Sequence, residues 1–167
     1  MSRTAKRVLF GAVALLIVGP LLASWLHYAT TRVDNAYEPQ FRRNLTEAAR
    51  AGDTLDLASV ADFEWDRVYM FPPYTSRKLM EEAVGSKWTP PVSYLEYLFS
   101  SSSPLGQGLV DDSLHKLVFV RDGDVVLDVT LDRSIDFAAT RGMAERGDAR
   151  YSLERAADGR IVAKNAP

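Results

Sequence analysis

Ser113 and His115 are the two residues of this chain whose types and spacing come nearest to a catalytic site. A serine nucleophile needs a base that takes its hydroxyl proton, and imidazole is the usual base. Residues two apart on a strand project to the same face, which brings Ser113 beside His115. The chain lacks the Gly-x-Ser-x-Gly turn that exposes a serine in many hydrolases. A small hydrolase is therefore an alternative, and a half-exposed histidine at a strand end is the simpler interpretation.

The same loop carries residue types that bind metals. Asp111, Asp112 and His115 lie within five residues and are potential zinc ligands. No second histidine follows at the usual zinc spacing, and acidic loops before a strand are usually solvated. We therefore predict no metal site, no cofactor and no catalytic residue.

Four large aromatic side chains are the candidate binding residues, because Trp and Tyr bury much area and dominate binding hot spots. They are Trp65, Tyr69, Tyr74 and Trp88. Strand alternation points Trp65 and Tyr69 toward the core, whereas Tyr74 follows two prolines at a helix start and is expected to be exposed. A small-ligand module with a pocket lined by these aromatic residues is a further alternative function.

The segments around these aromatic residues have clear patterns. Aromatic residues alternate along a strand over 63–71, and Pro72-Pro73 ends it. Thr75 or Ser76 then caps a short helix that Gly85 ends. The sequence therefore predicts a strand followed by a helix that packs through one apolar face.

Two hairpins are predicted by Asp-Gly pairs between runs of strand-forming residues. Asp122-Gly123 joins His115–Val120 to Val125–Leu131, and Asp158-Gly159 joins 151–155 to 160–163. A two-residue loop in the first hairpin puts one set of apolar side chains on the face toward the helix. This set is Val118, Val120, Val125, Leu127 and Val129.

Residues 8–26 are a run of nineteen without a formal charge, and Arg3, Lys6 and Arg7 precede it. A helix of that length spans roughly 28 Å, close to the ~30 Å hydrocarbon core of a bilayer. The cations favour the cytoplasmic side. This predicts a single-pass signal anchor, with the N-terminus inside and an extracytoplasmic C-terminal domain. Secretion after signal cleavage is the alternative. Cleavage after Ala23 would place Leu21 at position −3, where a signal peptidase prefers a small residue.

Composition narrows the predicted partners. The formal net charge is −2, and all 22 acidic residues lie after residue 26, so that the remainder is mildly acidic and matches nucleic acid poorly. The chain has no cysteine, which excludes disulfides, thiolate metal sites and lipid attachment through cysteine. The predicted partners are the lipid bilayer, through residues 8–26, and a protein of the cell envelope.

Residues 63–75 read Phe-Glu-Trp-Asp-Arg-Val-Tyr-Met-Phe-Pro-Pro-Tyr-Thr. This segment resembles a family of small exported bacterial proteins that carry a Trp-Asp-x-Val-Tyr-x-Phe-x-Pro-Tyr-Thr core. Those proteins also have a short helix ending in Gly and a later hairpin like Leu117–Gly123. The similarity covers residues 60–131. It implies an exported bacterial domain, so that the predicted anchor would lie in the bacterial inner (cytoplasmic) membrane with the C-terminal domain in the periplasm. It assigns no catalytic residue.

Together these patterns predict an α+β protein. A transmembrane helix is followed by an antiparallel sheet of about four to five strands, with one or two helices on one face. The predicted segments are a basic cytoplasmic N-terminus (1–7), a transmembrane helix (8–26), a juxtamembrane linker with an amphipathic helix (27–56) and an exported domain (57–167). We expect that domain to act as a non-catalytic interaction module in the cell envelope.

Overall fold

The computed structural model describes residues 3–99, 108–140 and 142–166, with side chains from residue 16 onward. The helices of this part of the chain are α1 (Arg3–Thr31), α2 (Glu38–Ala51), α3 (Leu57–Val60), α4 (Arg77–Val84) and α5 (Tyr94–Phe99). The first four strands are β1 (Thr54–Asp56), β2 (Arg67–Phe71), β3 (Leu114–Arg121) and β4 (Asp124–Asp132). The other four are β5 (Ile135–Asp136), β6 (Met143–Glu145), β7 (Arg150–Arg155) and β8 (Ile161–Asn165).

The strands form two sheets of four, in the orders β1-β7-β8-β5 and β4-β3-β2-β6. Only β5 and β8 pair in parallel among the described strands. The α+β class is therefore confirmed, whereas the prediction of one antiparallel sheet of four to five strands is wrong. The second hairpin, β7–β8, does not extend the first sheet, because it pairs with β1 and β5. Those two strands have only three and two residues, too few to show a strand period in the sequence.

The larger core takes side chains from both sheets and from α2. Phe41, Leu45 and Ala49 project from α2 at helical spacing and are 1 % exposed or less. They pack in one cluster with residues of the two sheets, including Phe119 and Tyr151. The helix α2, which lies within the segment predicted as a linker, is therefore part of the larger core.

A second, smaller core covers the opposite face of the β4-β3-β2-β6 sheet. Met80 and Val84 of α4 pack there with Val118 and with Trp88. Ser76 caps α4 by accepting a hydrogen bond from Leu79 N–H, and Gly85 ends it at φ +82°, as the sequence predicts. This sheet is buried on both faces.

A β-bulge sets the register of the first hairpin. Phe119 pairs with Leu127 whereas Val120 pairs with Val125, so β4 carries one extra residue at 126. Every later residue of β4 consequently points to the opposite face from the one predicted. Leu127 and Val129 lie in the larger core, and the prediction that they face the helix is wrong.

Among the residues that the structure describes, no helix is long and apolar enough to cross a membrane. This finding overturns the prediction of a transmembrane signal anchor over residues 8–26. The extracytoplasmic location and the envelope partner are separate predictions, which this finding does not test.

Candidate binding cleft

A cleft of about 410 Å³ opens between α2, α4 and the strands β3 and β4. Its walls are mostly apolar, and charged side chains complete the lining. The apolar wall residues are Met80, Pro90, Pro91, Val92, Leu109, Val110 and Leu114. This combination of size, apolar walls and a few polar groups is typical of small-ligand sites.

Lys116 and Asp128 form an ion pair in the cleft. They share a face of the sheet because the bulge shifts β4 by one residue. Lys116 Nζ lies 2.5 Å from Asp128 Oδ1, and Trp88 Nε1 donates a hydrogen bond to Oδ2 at 2.7 Å. The side chain of Asp128 is 1 % exposed and that of Lys116 is 13 % exposed. Both oxygens of this buried carboxylate therefore have a donor, as a buried charge requires.

Asn35 fixes the backbone of Asp128. Its side-chain amide donates to the Asp128 carbonyl oxygen at 2.5 Å and accepts from the Asp128 N–H at 2.9 Å. The amide thus occupies the outer edge of β4 as a neighbouring strand would. Asn35 has φ +54°, a left-handed conformation that Asn adopts more readily than most residues. Its amide also donates to Glu38, which links β4 to the first turn of α2.

Two arginines line the cleft from the helices. Arg42 of α2 donates to Glu38 at 2.7 Å and to the carbonyl oxygen of Thr130 at 2.6 Å. Arg77 of α4 donates to Glu81 at 2.8 Å and to the carbonyl oxygen of Trp88. Its guanidinium carbon also lies 4.2 Å from the centroid of the Trp88 ring. These contacts hold both guanidinium groups in place.

The end of α1 holds the wall that Pro90 and Val92 form. Tyr28 donates a hydrogen bond from its hydroxyl to the carbonyl oxygen of Val92 at 2.7 Å. Val33 N–H donates to the carbonyl oxygen of Thr89 at 3.0 Å. Hydrogen bonds from α1 and from the residues that follow α1 therefore fix the position of this wall.

The charges around the cleft are balanced, and Lys116 has N–H donors left for an anion. The cations Arg42, Arg77 and Lys116 line the cleft, and each is paired with a carboxylate, of Glu38, Glu81 and Asp128 respectively. An ammonium group has three N–H donors, and within the described contacts Lys116 uses one of them on Asp128. The described lining holds no histidine, serine or cysteine. The cleft can therefore bind an anionic group on an apolar body, and it holds no imidazole to activate a nucleophile.

The structure separates the four aromatic residues proposed for binding. Trp65 is buried in the larger core, with its ring 5.1 Å from that of Phe119. Tyr69 and Trp88 belong to the smaller core, on the other face of the sheet. Tyr74 is 68 % exposed, as expected. Only Trp88 bonds to a cleft residue among the described contacts of these four.

Ser113 and His115 are not brought together as a catalytic pair. Ser113 is exposed, whereas His115 is 2 % exposed, not half-exposed as expected. Neither nitrogen of His115 has a hydrogen-bond partner among the described residues. Burial lowers the pKa of His115 from 6.5 to about 4, although Asp136 opposes this shift. Within the described ranges, no three His, Cys, Asp or Glu side chains are grouped to hold a metal ion.

Sequence reasoning missed Lys116, Asp128 and Asn35. A signal for Asp128 existed, because it is a charged residue in the middle of an apolar run. A regular hairpin register placed it on the face opposite to Val118, so that it had no reason to be buried. Asp128 pairs with Val118 because of the bulge, and no residue of the hairpin loop predicts that bulge.

The segment that carries the family resemblance, residues 63–75, contains β2 and the turn before α4. The resemblance stays a prediction. Comparison with protein-family models, with curated proteins and with solved structures found no match.

Proposed function

We propose that this domain is a non-catalytic binding module, and that its cleft binds a carboxylate carried on an apolar body. The observation that carries the proposal is the buried Lys116–Asp128–Trp88 network beneath apolar walls. A buried ion pair gives little stability relative to apolar residues of the same volume. A role in binding explains this ion pair better than a role in stability, because the pair holds the Lys116 ammonium in position for an anionic ligand.

The contacts of Lys116 favour binding of a carboxylate in particular. Asp128 and Trp88 fix the position of its ammonium, so that little side-chain freedom is lost when a ligand binds. Arg42 and Arg77 also line the cleft, and each is paired with a glutamate. Val92 and Val110 lie on the walls, where they can cover an apolar chain.

Two sources provide this chemistry, a free acid with an alkyl chain and the C-terminal residue of a protein in the cell envelope. Octanoate represents the first and N-acetyl-leucyl-leucine the second. Titration calorimetry of the 167-residue chain with both compounds distinguishes them, because the source with the better fit binds more tightly. Octanol, which lacks the charge, is expected to bind at least about tenfold more weakly than octanoate, since a hydrogen bond to a charged group contributes about 1.5–3 kcal/mol.

The decisive variant combines Lys116→Met with Asp128→Asn. It removes both charges together, and the side-chain oxygen of the new asparagine at position 128 can still accept the Trp88 hydrogen bond. We expect the affinity for octanoate to fall at least about tenfold and that for octanol to stay within about twofold. Lys78→Met is the matched control, because Lys78 is an 85 % exposed lysine on α4 outside the cleft.

Two results would contradict the proposal. One is equal affinity of octanoate for the double variant and the parent chain. The other is hydrolysis of p-nitrophenyl octanoate at a rate above that of buffer alone, if the substitution Ser113→Ala abolishes this hydrolysis. That result would support the hydrolase alternative.

A further inference from the structure

A second cavity lies on the other side of β3 from the cleft. It measures about 200 Å³ and is lined where β2 ends, where β3 begins and by residues 137, 138, 140 and 142. Its lining includes Met70, Phe71, His115, Phe137 and Thr140. The residues that line the cleft do not recur in it, so the two sites are independent.

His115 is the polar group of this cavity that lacks a partner. It is 2 % exposed, and neither Nδ1 nor Nε2 forms a hydrogen bond within the described residues. The hydroxyl of Thr140, by contrast, donates to the carbonyl oxygen of Phe137 at 2.6 Å. A buried polar group without a partner is destabilising and rare, which suggests that something else supplies the bond.

The surroundings of His115 favour a neutral occupant. Asp136 is a buried acid that interacts electrostatically with His115, and Arg133 and Arg160 both donate to its Oδ2, at 2.5 and 2.9 Å. Burial raises the pKa of Asp136, but hydrogen bonds from Arg133 and from Ala138 N–H outweigh this and keep it below its ordinary value. The carboxylate is therefore ionised and already paired. Burial keeps His115 itself uncharged at neutral pH, with a pKa of about 4.

We propose that this cavity binds a neutral single-ring molecule with one hydroxyl group, which donates its hydrogen bond to the imidazole of His115. Neutral imidazole has one acceptor nitrogen. The ring of Phe137, centred 5.8 Å from that of His115, provides an aromatic wall. The volume suits one ring, because an apolar protein cavity of about 150 Å³ holds benzene.

Phenol and toluene test this proposal on the 167-residue chain. In a phenol titration followed by NMR, we expect the ring signals of His115 to shift to saturation with one-to-one stoichiometry. His115→Leu keeps the volume and removes the acceptor. It should weaken phenol binding roughly fivefold to tenfold and leave the affinity for toluene within about twofold, as expected for one buried hydrogen bond.

Ser113→Ala is the control, because it changes an exposed residue two positions away and should not alter phenol binding. If His115→Leu fails to fold, the shift of the His115 signals in the unmodified chain still tests the proposal.

The proposal is overturned if phenol binding does not reach saturation, or if phenol binds without moving the His115 signals. It is also overturned if a trapped water bonded to His115 remains when phenol is present. The cleft variants leave this readout untouched, so failure here is distinct from failure of the proposed function.

Discussion

At the scale of single residues, Asp128 connects three other residues beside the cleft. Its carboxylate accepts hydrogen bonds from Lys116 and Trp88, and its backbone both donates to and accepts from the Asn35 amide. Such a residue cannot be removed alone without leaving its partners buried and unpaired. The stability of the domain should therefore depend strongly on it.

Asp128→Ala is expected to lower the free energy of unfolding by about 3–5 kcal/mol, because the Lys116 ammonium loses its counter-ion in a buried place. Urea denaturation measures this change. The double variant Lys116→Met with Asp128→Asn should recover most of the loss, because no uncompensated charge remains. A double variant less stable than Asp128→Ala would contradict this account of the network.

His115 makes stability depend on pH. Its pKa is lowered from 6.5 to about 4 in the folded protein, because burial disfavours the imidazolium ion. The unfolded chain thus binds more protons between these values, and stability falls as the pH decreases through this window. The total loss is about 3 kcal/mol, most of which occurs between pH 6.5 and pH 4.5.

Urea midpoints measured from pH 7 to pH 4.5 test this dependence. His115→Leu is expected to flatten the dependence of the urea midpoint on pH over that range. The slope that remains in this variant is due to the titration of carboxylates. Parallel curves for the two proteins would show that His115 does not titrate as a buried group.

At the scale of elements, Gly108 attaches one cleft wall to the start of α4. An added Cβ would lie 2.3 Å from the carbonyl oxygen of Thr75 and 2.8 Å from the N–H nitrogen of Arg77. Gly108 also has φ +92°, and the next residue, Leu109, donates from its N–H to Thr75 at 3.0 Å. The wall at Leu109 and Val110 depends on this close approach.

Gly108→Ala is expected to destabilise the domain more than Gly85→Ala and to weaken octanoate binding. Gly85 is the matched control, because it has φ +82° and no atom within 4 Å of an added Cβ. Gly85→Ala should cost about 1–2 kcal/mol from backbone strain alone. Gly108→Ala adds a steric clash with the backbone. Equal unfolding free energies and equal octanoate affinities for the two variants would contradict the role of Gly108.

Elements with local signals were predicted well. The Ser76 cap and the Gly85 stop of α4, and the Asp-Gly turns of both hairpins, are short-range patterns that the structure reproduces. The bulge before Leu127 is different, because it is decided by packing across the sheet and not by the turn. A shift of one residue changed which side of β4 is buried, and with it the location of the binding site.

At the scale of the whole molecule, long-range pairing decided what the sequence could not predict. The strand β1 pairs with β7 nearly a hundred positions later, and no local pattern specifies such a partner. Asn35 likewise reaches Asp128 across the fold, 93 positions along the chain. The fold class followed from composition and alternation, whereas the division into two sheets and the cleft between distant segments did not.

The whole-molecule arrangement also couples α1 to the cleft. Tyr28→Phe removes the hydrogen bond to Val92 and leaves the ring in place. One such bond contributes about 0.5–1.5 kcal/mol, so octanoate affinity should fall by a few-fold if the wall loosens. Tyr94→Phe, which removes a 3.1 Å hydrogen bond from α5 to α1 outside the cleft, is the control. An unchanged affinity in Tyr28→Phe would show that α1 does not support the wall.

The most direct test of the binding cleft is an intermolecular NOE measurement between octanoate and the 167-residue chain. The account predicts NOEs from the alkyl chain to the methyl groups of Val92 and Val110, and a shift of the Lys116 side-chain signals that octanol does not produce. Octanoate that gives NOEs only to residues outside the cleft, or that leaves the Lys116 signals in place, would contradict it.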